Sequence, residues 1–345
     1  MAGAWDAVDA IWARPFAAGA GDEAETLREL VRCAILAPNA HNTQPWRFAL
    51  GPGTIRILPD YARSMPHGDP GDRELMISLG CALENLCVAA RRAGYAPCVE
   101  YFPAAEPDVC ALVRLEPGAD GAGDPLFDAI AARHTNRGAY DGRPIPAADL
   151  AELQGLCLEP GVRIRYLMTA ADKEAIIRIL NRGFAWQKRN RAFQRELHSW
   201  MRFSRAKTIR HLDGLCARAI GKPLVPDPLA HVIVHAMTLS GYEAREMAQR
   251  VRGSSGLIAV LTERNDRRAW LDAGRSLQRT LLCMTQLGLR TAHLNQNWQW
   301  PVTTEPLARY LGLDGEYPQV VLRIGYAPPL PHSPRRPVES VLVER

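Results

Sequence analysis

The sequence predicts an α+β protein of two halves, each with a small sheet flanked by helices. Its length of 345 residues favours about two domains, at roughly 150 residues per domain. Short strand-like segments alternate with amphipathic helical ones along the chain. Two of the helices also resemble each other: SLGCALENLCVAARRAG at 78–94 and DAGRSLQRTLLCMTQLG at 272–288. Each has two glycines 14 residues apart, and matching positions such as Gly80 and Gly274 differ by a constant 194, which indicates a degenerate duplication.

The composition excludes several classes of protein. Apolar residues make up 47% of the chain and charged residues 23%, which is typical of a globular protein and not of a disordered chain, a collagen or a coiled-coil rod. The longest apolar runs, such as 257–261, are far shorter than the ~20 residues of a membrane span, so no membrane partner is expected. A net charge of +5, spread along the chain, favours anionic ligands over nucleic acid.

The N-terminus and the cysteines both indicate a cytoplasmic protein. Asp6 and Asp9 stand where a signal peptide would be apolar. None of the eight cysteines forms a C-x-x-C pair, which is typical of reduced core cysteines in the cytosol.

The first half, residues 1–122, alternates helices with short strands. Pro38 ends the first helix, the turn Gly51-Pro52-Gly53 joins a pair of strands, and Gly94 ends the second helix. The predicted elements are helices 23–37 and 74–94 and strands 46–50, 54–58, 99–102 and 110–115. A stretch rich in Gly, Asp and Pro, residues 116–124, is predicted to link the halves.

The second half, residues 123–345, contains an unusually long interruption. Its predicted elements are helices 128–133, 144–156, 171–202 and 270–287 and strands 162–168, 257–262 and 320–324. Residues 203–250 are basic and lack clear periodicity. A segment of that length is either a mobile lid or a small helical insert, and we expect a lid.

A stiff polar loop, APNAHNTQPWRF at 37–48, is the first candidate binding element. Pro38 and Pro45 fix two φ angles, and the side chains between them supply hydrogen-bond donors and acceptors. Such groups suit the edge of a planar heteroaromatic ligand. The alternative is a polar connecting loop with an N-terminal helix cap.

Two arginine pairs are the other candidates. Arg133 and Arg137 flank the hydroxyl of Thr135 in ARHTNR, and a phosphate dianion accepts from such a set. The segment SPRRP at 333–337 carries a second pair. The alternatives are an exposed helix end for the first pair and a solvated tail for the second. No metal site is expected, because His231 and His235 have suitable spacing but lack further ligands nearby.

Together these segments resemble the flavin-dependent nitroreductase family. APNAHNTQPWRF is similar to the family's APS-x-x-N-x-QPW-x-F element, RHTNRGAYD to its Arg–His/Arg–Ser–x–Arg/Lys element, and SPRRPVESVL to its C-terminal basic element. DPGDRELMISLGCALENL, HLNQ and PQVVLRIGY extend the resemblance over about residues 27–343. Because the QPW element lies in one half and the phosphate elements in the other, the chain resembles the Acg-like subfamily, in which one chain is a fused pseudo-dimer.

The resemblance implies that two nitroreductase-like halves share one FMN. Arg133, Thr135, Arg335 and Arg336 would hold its phosphate, and His134 would lie beside the phosphate or the ribityl chain. Arg137 would reach the pyrimidine edge of the ring, where a cation stabilises the reduced, anionic form. The residues implied to approach the ring are Pro38, Asn39, Ala40, His41, Asn42 and Gln44 from the first half and Leu294, Asn295 and Gln296 from the second. Asn39 replaces the family's usual serine.

The function implied is that of an FMN-dependent oxidoreductase acting on a small organic molecule. The sequence contains no G-x-G-x-x-G segment, which would predict a permanently bound dinucleotide. NAD(P)H would therefore act as a transient reductant. Fusion of the halves removes the usual reason to dimerise, and a monomer or weak homodimer is expected. Two alternatives remain: a flavin-sequestering protein with a closed site and no turnover, and specialised flavin chemistry in a biosynthetic pathway.

Overall fold

Two four-stranded antiparallel sheets form the frame of the protein. A computed structural model describes residues 3–18, 22–118, 123–226, 241–294 and 300–344. The first sheet contains β1 (Trp46–Gly51), β2 (Thr54–Pro59), β3 (Tyr95–Tyr101) and β4 (Ala111–Pro117) in the order β1-β2-β4-β3. The second contains β5 (Val162–Leu167), β8 (Gly256–Thr262), β9 (Arg290–His293) and β10 (Tyr317–Gly325) in the order β5-β8-β10-β9. The predicted α+β class is confirmed.

The two sheets have the same topology, since both run first-second-fourth-third in chain order. In each, a 20-residue helix joins the second strand to the third: α3 (Arg73–Arg92) and α10 (Arg267–Gln286). The bounds of these helices differ by the offset of 194 residues seen in the sequence. The second half adds α11 (Pro301–Leu311) between its third and fourth strands, a helix that the sequence analysis missed.

Helices α3 and α10 cross at their matching glycines. A Cβ atom on Gly80 would lie 2.1 Å from the carbonyl oxygen of Leu271, and one on Gly274 would lie 2.1 Å from that of Ile77. The contact is therefore reciprocal, as expected of an isologous interface. The amide of Gln278 donates to Asn85 at 2.6 Å one turn further along.

One hydrophobic core spans both halves. Leu83 and Leu277 pack in the same buried cluster as Ile57 of the first sheet and Ile258 of the second. Strand β8 is buried along its whole length, which explains its unbroken apolar sequence. The two halves therefore pack against each other through a shared core.

The remaining helices of the first half, and those that open the second, surround this core. They are α1 (Gly3–Ala13), α2 (Glu23–Ala34), α4 (Ala129–Ala132) and α5 (Ala147–Gln154). The predicted helices 23–37, 128–133 and 144–156 are confirmed with slightly shorter bounds, whereas α1 was not predicted. No helix of the described ranges has the length and apolar character to cross a bilayer.

A long insertion separates the first two strands of the second sheet. Residues 168–255 stand where the first sheet has only a tight turn between β1 and β2. The insertion contains α6 (Ala170–Arg189), α7 (Arg191–Ser199), β6 (Met201–Arg202), α8 (Arg205–His211), β7 (Leu215–Cys216) and α9 (Tyr242–Arg252). The predicted helical segment 171–202 is confirmed as far as Ser199, but it is divided into two helices. Asn190 leaves the helical conformation, and its side chain caps α7 by accepting from the amide of Phe193. His231 and His235 lie outside the described residues.

Backbone hydrogen bonds at two places join segments that are far apart in the chain. The C-terminal segment pairs with β1, where the amide of Phe48 donates to Val341 at 2.8 Å and that of Val343 to Phe48 at 2.9 Å. Residues just after α4 pair with β9, where the amide of Asn136 donates to Thr291 at 2.8 Å. These two pairings place both arginine motifs at the boundary between the halves.

Candidate functional site

A cleft between the two halves collects the three candidate elements. It is lined by residues of both halves and of the insertion. Most of the predicted site residues line it: Pro38, Asn39, Ala40, His41, Asn42, Arg133, His134, Thr135, Arg137, Leu294 and Arg335. The sequence therefore identified both sides of the cleft.

The cleft also contains residues that the sequence analysis missed. They are Trp12, Glu74, Ile77, Ser78, Cys81, Leu215, Leu277, His293, Gln319, Val320, Val321 and Ser333. Several lie on the central helices and on β10, where a helical or strand pattern indicates only core. His293 is the exception, because it begins the HLNQ segment already used for the resemblance and could have been named.

Arg133 is a buried cation without an anionic partner in the part of the chain that the structure describes. Its side chain is only 3% exposed, and one nitrogen donates to the carbonyl oxygen of Leu36 at 3.2 Å. Nε and Nη1 are buried and have no hydrogen-bond partner among the described residues. Burial lowers the pKa of Arg133 to about 10, so the group stays charged at neutral pH. An unpaired buried cation is costly, and a dianion in the cleft would supply the missing acceptors.

Arg335 has a different setting, because its donors are largely used within the protein. It donates to the carbonyl oxygens of Ile35 at 2.7 Å and Ala37 at 3.0 Å and to the side chain of Asn42 at 2.7 Å. It also lies over the ring of Trp12, 4.8 Å from the centroid. Burial, with the nearby Arg133, holds its pKa well below the usual arginine range. Arg335 therefore fixes the end of the first-half loop while adding positive charge to the cleft.

Arg137 and Thr135 complete the cationic side of the cleft. Neither side chain has a hydrogen-bond partner within the described ranges, and both line the cavity. Burial lowers the pKa of Arg137 to about 10, with a further contribution from Arg250 and Arg323. The intervening Asn136 anchors the segment by donating to the carbonyl oxygen of Pro328 at 2.7 Å.

The histidines of the cleft are neutral near pH 7. Burial lowers the pKa values of His41 and His134 to about 4 and that of His293 to about 3, and neighbouring arginines lower them further. His134 is held in one tautomer, since Nδ1–H donates to Ala132 at 3.2 Å while Nε2 accepts from the amide of Leu330 at 3.1 Å. Both of its nitrogens are thus used, and His134 lines the cleft without a free donor.

The QPW loop is held in an unusual conformation by its own side chains. His41, Asn42 and Gln44 all have positive φ angles, between 48° and 55°. Asn39 accepts from the amide of Gln44 at 2.8 Å, and Asn42 donates to the carbonyl oxygen of Pro334 at 3.0 Å. These amide side chains are used to fix the loop. The groups that the loop still offers to a planar ligand are therefore mainly backbone ones, and not the series of side-chain donors expected from the sequence.

Two predicted residues do not line the cleft. Gln44 is buried, donates to the carbonyl oxygen of Leu212 at 2.8 Å and accepts from the amide of Arg336 at 2.8 Å. The guanidinium of Arg336 donates to Ser340 at 2.6 Å and lies 3.9 Å from Asp60. Arg336 therefore has partners outside the cleft, and we assign it no phosphate contact. Asn295 and Gln296 lie outside the described residues.

The insertion covers the QPW loop. Its Leu215 lines the cleft, and the amide of Gly214 donates to the carbonyl oxygen of Asn42 at 3.0 Å. Asp213 pairs with Arg202 at 2.6 Å and also with Arg63 of the first half. This segment forms part of the wall of the cleft.

Relatives of the same overall length are found by sequence. No family model matches the chain. It is 29% identical over 327 residues to "Putative NAD(P)H nitroreductase Rv3131" of Mycobacterium tuberculosis, covering 93% of this chain and 92% of that protein. It is 27% identical to "Putative NAD(P)H nitroreductase acg" of the same organism, covering 92% and 95%. The sequence is thus similar over almost its whole length to proteins named putative NAD(P)H nitroreductases. Within that class, the resemblance to Acg is confirmed over almost the whole chain.

Solved nitroreductase structures resemble the chain more weakly. The FMN-dependent nitroreductase NfnB from Mycobacterium smegmatis, in complex with NADPH, is 15% identical, with a TM-score of 0.39 over 58% of this chain and 86% of NfnB. A nitroreductase with bound FMN from Bacteroides fragilis is 17% identical, with a TM-score of 0.37 over 59% and 89%.

Proposed function

We propose that the chain binds FMN in the cleft between its halves and acts as an FMN-dependent oxidoreductase on a small organic molecule. The observation that carries this proposal is Arg133, a buried guanidinium at the cleft whose Nε and Nη1 atoms have no hydrogen-bond partner among the described residues. Its surroundings are cationic, since Glu74 is the only carboxylate among the described lining residues. The names of the sequence relatives support the same class of activity.

The residues divide between the two ends of the cofactor. Arg133 and the hydroxyl of Thr135 would hold the phosphate, because both have free hydrogen-bonding capacity at the cleft. Arg137 would lie at the pyrimidine edge of the ring, and Ala40 and Leu294 would flank it. When bound, FMN would supply two-electron transfer between a nicotinamide nucleotide and the substrate. The protein would supply a dry, positively charged site that binds and orients both.

We expect about one FMN per chain. The two arginine motifs occur once, in the second half, and the QPW loop occurs once, in the first. Reconstitution of the apo protein, followed by absorbance of released FMN against protein concentration, measures the ratio. A ratio near two would contradict the single shared site.

We also expect NADH or NADPH to bleach the bound flavin under anaerobic conditions. This result separates turnover from the second candidate, a flavin-sequestering protein. That candidate is favoured by one observation: Gly214 and Leu215 of the insertion cover the QPW loop and narrow the cleft. If dithionite bleaches the flavin but neither nucleotide does, the site is closed to nucleotides and the sequestering function is the better description.

We propose the boundary between the halves at residues 122 and 123 and a monomer or weak homodimer in solution. The shared core supports this, because the chain buries internally the surface that separate halves would present to each other. A cytoplasmic location without nucleic-acid partners remains part of the proposal.

A further inference from the structure

The positive charge of the chain is concentrated in one segment of the insertion, contrary to the even spread expected from the whole sequence. Residues 175–222, here called the basic segment, contain twelve arginines and lysines but only two carboxylates, so they carry a net charge of +10. The whole chain carries +5, which leaves −5 for all other residues together. The insertion is therefore a basic element on an otherwise acidic protein.

Neither carboxylate of the basic segment neutralises its outer surface. Glu196 accepts from the backbone amides of His67 at 2.9 Å and Gly68 at 2.6 Å. Asp213 is buried and pairs with Arg63 of the first half. Both carboxylates therefore attach the insertion to the first half.

The exposed cations of the basic segment lie on three successive helices, and none pairs with a carboxylate of the described residues. They include Arg182 and Arg189 of α6, Arg191 and Arg195 of α7, and Arg210 of α8. Arg191 and Arg195 are about one helical turn apart and thus lie on the same side of α7, whereas Phe193 between them is buried. Helix α7 therefore packs through Phe193 and presents arginines to solvent.

The basic segment also reaches the wall of the proposed FMN site. Leu215 lines the cleft, and Arg210 precedes it by five residues, so their Cα atoms are at most about 18 Å apart. The ring of Trp200, which follows α7, has its centroid 5.4 Å from the guanidinium carbon of Arg63. Arg63 in turn donates to the carbonyl oxygen of Thr43 in the QPW loop. A partner seated on α7 and α8 would therefore lie close to the bound flavin.

The side chains around these cations favour an acidic protein over other anionic partners. Helices that bind membranes present large apolar side chains beside their cations, and single-stranded nucleic acids stack on exposed aromatic ones. The exposed large apolar side chains of the described ranges all lie outside the basic segment. Electron-transfer complexes have small, weak interfaces, and complementary charges steer their encounter. A basic surface beside a redox site matches that type of interface.

We propose that the basic segment is the docking site of an acidic one-electron carrier protein that reduces the flavin in the cleft. The proposal rests on the proposed function and adds a protein partner to it. Two reduced carriers dock one after the other, and each is oxidised by one electron. The two electrons, with one proton taken up from water, convert the flavin to its anionic reduced form, so that charge and atoms balance.

The kinetic test compares Arg191→Glu/Arg195→Glu with the parent and with Arg28→Glu/Arg92→Glu. The control pair consists of exposed arginines of the first half and changes the net charge equally. FMN-loaded protein is mixed anaerobically with reduced plant-type [2Fe–2S] ferredoxin, an acidic carrier, whose oxidation is followed by the visible circular dichroism of its cluster.

Electrostatic steering raises association rates roughly 10- to 10³-fold, so R191E/R195E should lower the second-order rate constant about tenfold at low ionic strength. The control should stay within about threefold of the parent, and high salt should bring all three proteins to similar rates because it screens exposed charges. FMN affinity should be equal in all three, since neither pair of arginines lines the cleft.

A binding measurement on the apo protein tests the docking site without flavin. In titration calorimetry with oxidised ferredoxin, R191E/R195E should have a Kd about tenfold higher than the parent and the control. Equal rates in the parent and R191E/R195E, or equal Kd values, would overturn the docking site. Binding to a DNA duplex or to phosphatidylserine vesicles would also overturn it, if that binding persists at physiological ionic strength and is lost in R191E/R195E. A parent that binds ferredoxin through these arginines but binds no FMN would support the docking site and overturn the proposed function, and with it the electron transfer.

Discussion

Replacing Arg133 by methionine is expected to weaken FMN binding about 10- to 150-fold. Hydrogen bonds to charged groups contribute roughly 1.5–3 kcal/mol, and 1.4 kcal/mol corresponds to a tenfold change in Kd. Methionine keeps much of the length of the side chain but removes the charge and the donors Nε and Nη1, which have no partner among the described residues. The apo variant should be at least as stable as the parent, because a costly buried cation is lost. FMN titration by fluorescence quenching and thermal melting of the apo protein measure the two effects.

Arg336→Met is the matched control. This arginine is the next residue after Arg335 and was predicted to bind the phosphate, yet its guanidinium contacts Ser340 and lies near Asp60. We expect its FMN affinity to stay within about threefold of the parent, well below the loss of even one charged hydrogen bond. If the Arg336 variant lost the flavin while the Arg133 variant kept it, the phosphate would lie on the other side of the QPW loop.

Gly274→Ala is expected to destabilise the protein by about 3 kcal/mol. The new methyl group would lie 2.1 Å from the carbonyl oxygen of Ile77 and 2.9 Å from the Cα atom of Gly80. Overpacking of a core costs typically 1–3 kcal/mol, and here the upper end applies because both contacts are backbone atoms that no rotamer change can move. The helices α3 and α10 must therefore separate. Urea unfolding of the apo protein measures the loss, and FMN affinity should fall as well because the cleft lies between the halves.

Gly71→Ala gives the comparison for this substitution. A Cβ atom there meets no atom of the described ranges within 4 Å, so the stability of this variant should stay within about 0.5 kcal/mol of the parent. Gly80→Ala should cost as much as Gly274→Ala, and the double variant less than their sum, because one separation of the helices relieves both clashes. A Gly274→Ala protein as stable as the parent would show that the two helices do not meet at this contact.

The framework of the fold was readable from local patterns. The strands of the first half, the paired helices and the buried strand β8 have clear periodicity or clear ends at Pro38, the Gly51–Gly53 turn and Gly94. The duplication was readable for a physical reason as well. Only glycine allows two helices to approach as closely as at Gly80 and Gly274, so the matching glycines remain after most other residues have diverged.

Local patterns failed where distant segments decide the structure. Helix α1 was missed, although its Trp12 reaches the cleft and donates to the carbonyl oxygen of Ser333 at 3.1 Å. The division of the predicted helix 171–202 at Asn190 was also missed. A polar residue in a helical pattern does not reveal whether it ends the helix until its neighbours are known.

The class of protein was indicated by the resemblance of its motifs to those of the nitroreductase family. The two halves and the segments that line the cleft could be located from the sequence by itself, because proline, glycine and arginine restrict the backbone or carry charge wherever they lie. Only the tertiary structure decided which side chains of those segments are free for a ligand. Arg133 is left with unpaired donors, whereas Arg336 and Gln44 find partners within the protein. Burial and distance to other charges arise from the packing of segments far apart in the chain, and no local pattern contains them.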